Sequence, residues 1–175
     1  MNNKFFATGV CLVLALLMLT SCSKENDYSP VEASTEACVI RVECLGTDGR
    51  SLLTNRDFVN SISIVGNSSH SNLKFEVEGT GEHRYLVFKA DIPDSGAMEW
   101  GSDRREAKGM SKLTLHFGKQ KMEISCMFRF TPNRAPVAVG GSLTLEEVSY
   151  NHRTVQRSGR QVSLTVRMDR NGKFN

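Results

Sequence analysis

The sequence predicts an all-β protein folded as an antiparallel β-sandwich of about eight short strands. Apolar and polar residues alternate in eight short segments, and a period of two places alternate side chains on opposite faces of a strand. Turn-forming residues separate these segments, and helical periodicity is nearly absent. The region that contains them, residues 37–175, is long enough for one domain with its own core.

The first four strands are predicted at 37–45, 61–65, 73–78 and 84–90. The turn Gly46–Gly49 ends the first of them. A glycine-containing turn joins the third strand to the fourth, so we expect these two to form a hairpin. The side chains expected on the apolar faces of the first three strands are Cys38, Ile40, Val42, Cys44, Ile62, Ile64, Leu73, Phe75 and Val77.

The remaining four strands are predicted at 111–117, 121–130, 142–148 and 161–168. The turn Gly118-Lys119 has glycine first, as a type II′ hairpin prefers, and Pro132 is expected to end the strand that follows. The pair Glu146-Glu147 interrupts the alternation and predicts a bulge or a change of face. The side chains expected to face the core are Leu113, Leu115, Phe117, Met122, Ile124, Cys126, Phe128, Phe130, Leu143, Leu145, Val162, Leu164, Val166 and Met168.

Helical signal is confined to two short surface segments. Ser102 is expected to cap a helix over 103–108 that Gly109 ends, and residues 55–60 are expected to form one further turn. Strands with one apolar face each require two sheets packed face to face. The predicted sandwich is therefore of the immunoglobulin-like or transthyretin-like type.

The first 22 residues show the pattern of a secretion signal and end in Leu19-Thr20-Ser21-Cys22. Lys4 precedes an apolar stretch of 15 residues, which is shorter than the roughly 20 needed to cross a bilayer but suits a signal peptide. The run LTSC resembles the lipobox of bacterial lipoprotein precursors. This resemblance implies a signal peptide at 1–21 and a diacylglyceryl thioether with further acylation on Cys22, which would anchor the chain in membrane lipid. The alternative is an ordinary cleavable signal in which Cys22 is incidental.

The residues after Cys22 predict a tether and an address. Residues 22–36 are polar, lack apolar periodicity and are predicted to form a flexible linker to the domain at 37–175. Among lipoproteins, Ser23 in place of aspartate implies the outer membrane. The segment 23–27 is similar to short acidic export signals of surface lipoproteins of the Bacteroides group, so both the periplasmic and the cell-surface face remain open.

Charge and motifs argue against several function classes. The chain has 22 Lys and Arg against 19 Asp and Glu, and loss of Lys4 with the signal peptide leaves a net charge of +2. Nucleic-acid binders usually carry a strong basic excess, so no nucleic acid is expected as a partner. The sequence has no GxSxG, HExxH or DxDxDG motif. We therefore expect no catalytic residues, no metal and no cofactor.

Three cysteines remain after the signal peptide and Cys22 are set aside, namely Cys38, Cys44 and Cys126. Six residues of strand separate Cys38 from Cys44, about 20 Å at roughly 3.3 Å per residue, which excludes a disulfide between them unless the strand breaks. Two alternatives remain open. Cys126 pairs with Cys38 or Cys44, or all three are free thiols that pack as small hydrophobes.

Two segments supply candidate ligand-binding residues. Trp100 lies in a polar stretch and would offer a flat platform for a sugar ring or a protein partner; alternatively, its indole folds over one end of the sandwich. Arg153, Arg157 and Arg160 share one loop and would contact an anionic glycan or phosphate through charge-assisted hydrogen bonds. Their alternative role is to protect a sheet edge against aggregation.

These observations predict a lipid-anchored module of the cell envelope with a non-enzymatic binding or structural role. Its partner would be a glycan or an envelope protein. One alternative is a glycan-binding module. Another is a fimbrial subunit or accessory protein, because pilin precursors of the Bacteroides group are similarly lipoboxed β-sandwiches. They are cut after an arginine in an early loop, where Arg50 lies here, and assemble by strand exchange. Those pilins generally have two domains, whereas this chain has room for one.

Overall fold

The computed structural model describes residues 33–133 and 140–175. They form two β-sheets packed face to face, which confirms the predicted all-β sandwich. The first sheet consists of β1 (Ala33–Ala37), β3 (Ile62–Gly66), β6 (Met98–Trp100), β7 (Ala107–Phe117), β8 (Gln120–Pro132), β9 (Gly141–Tyr150) and β10 (Arg153–Gln156). The second sheet consists of β2 (Val39–Leu45), β4 (Phe75–Thr80), β5 (His83–Lys89) and β11 (Gln161–Arg167).

The first sheet has the strand order β1-β9-β8-β7-β3, and the second has the order β11-β2-β5-β4. The strand β10 also pairs with β9, and β6 also pairs with β7. Most pairs are antiparallel as predicted, but β1 is parallel to β9 and β2 is parallel to β11. The chain changes sheets at Cys38, between β1 and β2, and each of these two strands has one parallel neighbour.

The described residues contain eleven strands rather than about eight. The three that sequence patterning missed are β1, β6 and β10, which have only three to five residues each. The three and four residues of β6 and β10 show too few alternations to be recognised, and β1, with the sequence Ala-Ser-Thr-Glu-Ala, has no large apolar residue. In addition, β1 begins at Ala33, inside the segment predicted as tether, so the strand structure starts earlier than residue 37.

The predicted core faces are confirmed along the long strands. In β7 and β8, buried residues alternate with partly buried or exposed ones along nearly the full length of each strand. The predicted bulge at Glu146-Glu147 lies where the register between β8 and β9 shifts. Two places depart: the apolar residues of the edge strand β4 are half-buried, and Met168, predicted to face the core, follows the end of β11 and is only partly buried. The core centre consists of the fully buried side chains Phe128, Ile40, Leu53, Ile64, Leu86, Leu113, Leu115, Ile124, Leu143, Leu145, Leu164 and Val42.

One of the two helix predictions is confirmed and the other is wrong. The helix α1 (Arg56–Asn60) begins after Asn55, whose side chain accepts a hydrogen bond from the Asp57 backbone N–H at 2.8 Å. The helix predicted over 103–108 is absent: a turn occupies its first residues, and β7 begins at Ala107. That segment has no apolar face to pack a helix, whereas Ala107 is completely buried as part of a strand.

The two ends of the sandwich differ, and we name them by the residues there. At the β1 end, β1 starts at Ala33 and Trp100 lies opposite the first residue of β7. At the Phe174 end, the rings of Phe58, Phe117 and Phe174 pack together, with centroids of Phe117 and Phe174 4.2 Å apart. Among the described helices, none has the length and apolar character to cross a membrane.

Candidate binding surface

The proposed lipid-attachment residue, Cys22, lies outside the described residues. The structure does place the other four candidate residues, Trp100, Arg153, Arg157 and Arg160. It also places two shallow grooves, one on the outer face of the first sheet and one at the Phe174 end. The candidates can therefore be judged by the surroundings of each side chain.

Trp100 is half-exposed, with 39% of its surface accessible. It ends β6 and lies opposite the buried residue Ala107, so its side chain is on the core side of the first sheet. One edge of the indole meets the ring of Phe130 in a T-shaped contact with a centroid distance of 5.9 Å. The indole therefore packs over the β1 end of the sandwich and leaves a part of its surface open to a ligand.

Arg157 lines the groove on the outer face of the first sheet, which we call the face groove. This groove has a volume of about 390 Å³. Met127 lies at the same register position as the half-exposed Met110, so the two methionines add apolar surface on this outer face. The residues that line the face groove are Lys108, Met127, Arg129, Glu146, Glu147, Gln156 and Arg157.

The charges of the face groove are largely paired with one another. Arg129 forms ion pairs with Glu146 and, at 3.7 Å, with Glu106. The hydrogen bond to Glu146 raises the pKa of the Arg129 guanidinium further above its usual value. Lys108 lies 3.8 Å from Glu106, and Arg157 donates to the backbone carbonyl of Gly159 at 2.7 Å. Since most of its cations are neutralised locally, this groove is suited to a polar ligand rather than to a strongly anionic one.

Arg153 lines the second groove, which we call the end groove and which has a volume of about 380 Å³. Arg153 begins β10, and Arg167 ends the neighbouring strand β11. Both side chains are exposed, and neither forms an ion pair with a carboxylate among the described residues. The residues that line the end groove are Arg153, Thr165, Arg167, Met168, Asp169 and Asn175.

The structure separates the residues that the sequence placed in one arginine loop. Arg153 belongs to the end groove and Arg157 to the face groove, while Arg160 is exposed in the turn before β11. Trp100 and Arg153 lie at opposite ends of the first sheet, roughly 20 Å apart along the strands at about 3.3 Å per residue. Trp100 and the arginines therefore do not form a single site.

Arg167 was missed at the sequence level although it lies beside Arg153. Its alternation with Val166 predicted an outward-facing side chain on the last strand, and this is confirmed. No local pattern shows which other strand end lies next to it. Arg167 lies beside Arg153 because of the register of β11 on β2 and because Tyr150 Oη donates a hydrogen bond to the Thr165 carbonyl at 3.1 Å.

The three thiols are free and buried. Burial raises the pKa of Cys38 to about 11 and the pKa values of Cys44 and Cys126 to about 12. The Cys38 thiol donates a hydrogen bond to the Leu143 carbonyl at 3.2 Å. Since the thiolate is the nucleophile, thiols with such raised pKa values are unreactive near neutral pH. Of the two alternatives, the structure shows free thiols that pack in the core.

Over residues 33–133 and 140–175, no group of three or more His, Cys, Asp or Glu side chains is arranged to hold a metal ion. No protein-family model, curated protein or solved structure matches the chain. The function must therefore be inferred from the residues of this protein and their arrangement.

Proposed function

We propose that the protein is a lipid-anchored lipoprotein of the bacterial outer membrane whose β-sandwich has a non-enzymatic binding or structural role. The observation that carries this proposal is the run LTSC after an apolar stretch too short to span a bilayer. Strand structure begins at Ala33, eleven residues after Cys22. At up to about 3.6 Å per residue, this linker would hold the domain within roughly 40 Å of an anchor at Cys22.

The position of β1 favours one orientation for such an anchored domain. The linker joins the sandwich at Ala33, which pairs with Gly141 at the β1 end. The Phe174 end is the opposite end of the same sheets. A domain held by this linker would therefore present the end groove away from the membrane, toward envelope partners.

Cys22→Ala tests the anchor. We expect the variant to lose incorporation of labelled palmitate and, once its signal peptide is removed, to leave the membrane fraction, because acyl chains would be the only strong hydrophobic anchor. Cys11→Ala is the matched control, since this cysteine is removed with the signal peptide. A processed Cys22→Ala protein that stayed in the membrane after a high-salt wash would refute the proposal, as would labelling unchanged by the substitution.

A second candidate is a fimbrial subunit or accessory protein that assembles by strand exchange, and the position of β2 favours it. This strand lies between β11 and β5 in the second sheet, and the exposed Arg50 follows it in a turn. A cut after Arg50 that released β1 and β2 would leave a slot for a strand from a neighbouring subunit. This candidate predicts ladders resistant to sodium dodecyl sulfate that Arg50→Gln abolishes and that Arg56→Gln leaves intact.

A further inference from the structure

The Phe174 end carries a concentration of positive charge that the overall composition conceals. Six exposed cations lie there, and we call them the basic cluster. They belong to the β7–β8 hairpin, the start of β10, the end of β11 and the C-terminal segment. The basic cluster consists of Lys119, Lys121, Arg153, Arg167, Arg170 and Lys173.

The contrast with the rest of the molecule is large. The chain from Cys22 onward has a net charge of +2. The six cations together with Asp169, the acid of the C-terminal segment, account for +5, so the remaining residues from Cys22 onward sum to −3. Charge of one sign gathered at one end raises the local concentration of oppositely charged ligands and steers their approach.

Hydrogen bonds join the chain segments that carry the basic cluster. The side chain of Gln120, between Lys119 and Lys121, donates to the Gly172 carbonyl and accepts from the Phe174 N–H at 3.2 Å. The side chain of Asn151 donates to the Phe174 carbonyl at 3.4 Å. The C-terminal segment is thereby joined to the β7–β8 hairpin and to the turn between β9 and β10. A site held in this way loses less conformational entropy when a ligand binds.

Two acids near the basic cluster, Asp169 and Glu43, accept hydrogen bonds from groups other than the six cationic side chains. Asp169 Oδ1 accepts from the N–H groups of Asn171 and Lys173, each at 2.8 Å. Glu43 accepts from the Thr165 hydroxyl at 3.1 Å. None of the six cations forms an ion pair within the part of the chain that the structure describes. The end groove therefore differs from the face groove, where ion pairs neutralise most of the charge.

We propose that the basic cluster binds an anionic polysaccharide, with the guanidinium groups of Arg153 and Arg167 holding its carboxylate, sulfate or phosphate groups in the end groove. Guanidinium groups form paired, charge-assisted hydrogen bonds with such oxyanions, and the groove volume lies in the range of small-ligand sites. The choice of an envelope polysaccharide over membrane lipid rests on the proposed function. In that proposal the linker joins the β1 end of the domain to the membrane anchor, so the basic cluster faces away from the lipid.

The test measures binding of polyanions to the mature protein, captured on a sensor surface and washed free of detergent. The probes are polygalacturonate, dextran sulfate, neutral dextran, duplex DNA and phosphatidylglycerol vesicles, at about 0.15 M salt. We expect at least one anionic polysaccharide to bind and neutral dextran not to bind. The double variant Arg153→Gln/Arg167→Gln should bind at least about tenfold more weakly, and Arg153→Lys/Arg167→Lys should bind better than the Gln variant.

The matched control is Arg104→Gln/Arg105→Gln, which removes two exposed charges near the β1 end and should leave binding unchanged. Three results would overturn the proposal: neither anionic polysaccharide binds, the control variant loses as much binding as the test variant, or DNA or lipid vesicles bind more tightly than both polysaccharides. Acylation of Cys22 does not enter this assay. A failure of the anchoring proposal would therefore appear only in the palmitate and fractionation experiments.

Discussion

Among the described residues, Phe128 is the largest fully buried side chain, and its replacement by alanine gives the most direct test of the sandwich core. It lies in β8 opposite Gly109 of β7 and Leu145 of β9, with no exposed surface. Because Gly109 has no side chain, β7 offers nothing at this position to fill the space that Phe128→Ala would open.

The expected loss has two parts. Removing a fully buried aromatic side chain forfeits roughly 1.5–3 kcal/mol of transfer free energy, and the cavity adds about 24 cal/mol for each Å³ that neighbours fail to fill. We therefore expect Phe128→Ala to lower the free energy of unfolding by about 3–5 kcal/mol. Domains are typically stable by only about 5–15 kcal/mol, so this loss is a large fraction of the total.

Equilibrium unfolding in guanidinium chloride measures this loss, and Trp100, the only tryptophan, reports the transition through its contact with Phe130. Two control variants are measured in the same unfolding assay. Phe75→Ala makes the same chemical change in the half-buried edge strand β4 and should cost about 1–2 kcal/mol. Met127→Ala, one residue from Phe128 on the outer face, should cost under about 1 kcal/mol. Equal losses from Phe128→Ala and Met127→Ala would refute the strand register.

Two further predictions use the same unfolding assay or a thiol reagent. A Cβ atom at Gly141 would lie 2.5 Å from both the Phe130 ring and the Thr131 carbonyl, so Gly141→Ala should lower the free energy of unfolding by about 1–3 kcal/mol. The control Gly96→Ala has open space around it and should change stability by under about 0.5 kcal/mol. Similar effects from both substitutions would contradict the close approach of β8 and β9. In the processed Cys22→Ala protein at pH 8, the three thiols should resist Ellman's reagent until unfolding. Rapid labelling of the native protein would disprove their burial. The thiols have a pKa near 9 when unfolded and about 11 to 12 when folded. Between these values the folded state binds more protons, so stability should fall as the pH rises from 9 to 12.

The sequence alone determined the fold class and the core faces of the long strands. Period-two alternation predicted the inward positions of β2, β7, β8 and β11, because burial of one sheet face permits only one of the two possible registers. The Glu146-Glu147 pair predicted a bulge because two consecutive acidic residues break the period-two alternation locally. The helix predicted over 103–108 was wrong because local propensity is weak beside the burial of Ala107 in the core.

Only the tertiary structure decided which residues lie together. Trp100 and Arg153 are separated by the length of the first sheet, and Arg153 and Arg157, four residues apart in the chain, line different grooves. The basic cluster joins Lys119 to Arg170 through pairing between strands distant in sequence. Alternation along a strand shows which face a side chain occupies, but the neighbouring strand is chosen by the packing of the whole sandwich. For this reason the sequence could predict faces and an anchoring motif, while the surface proposed to bind a ligand required the folded protein.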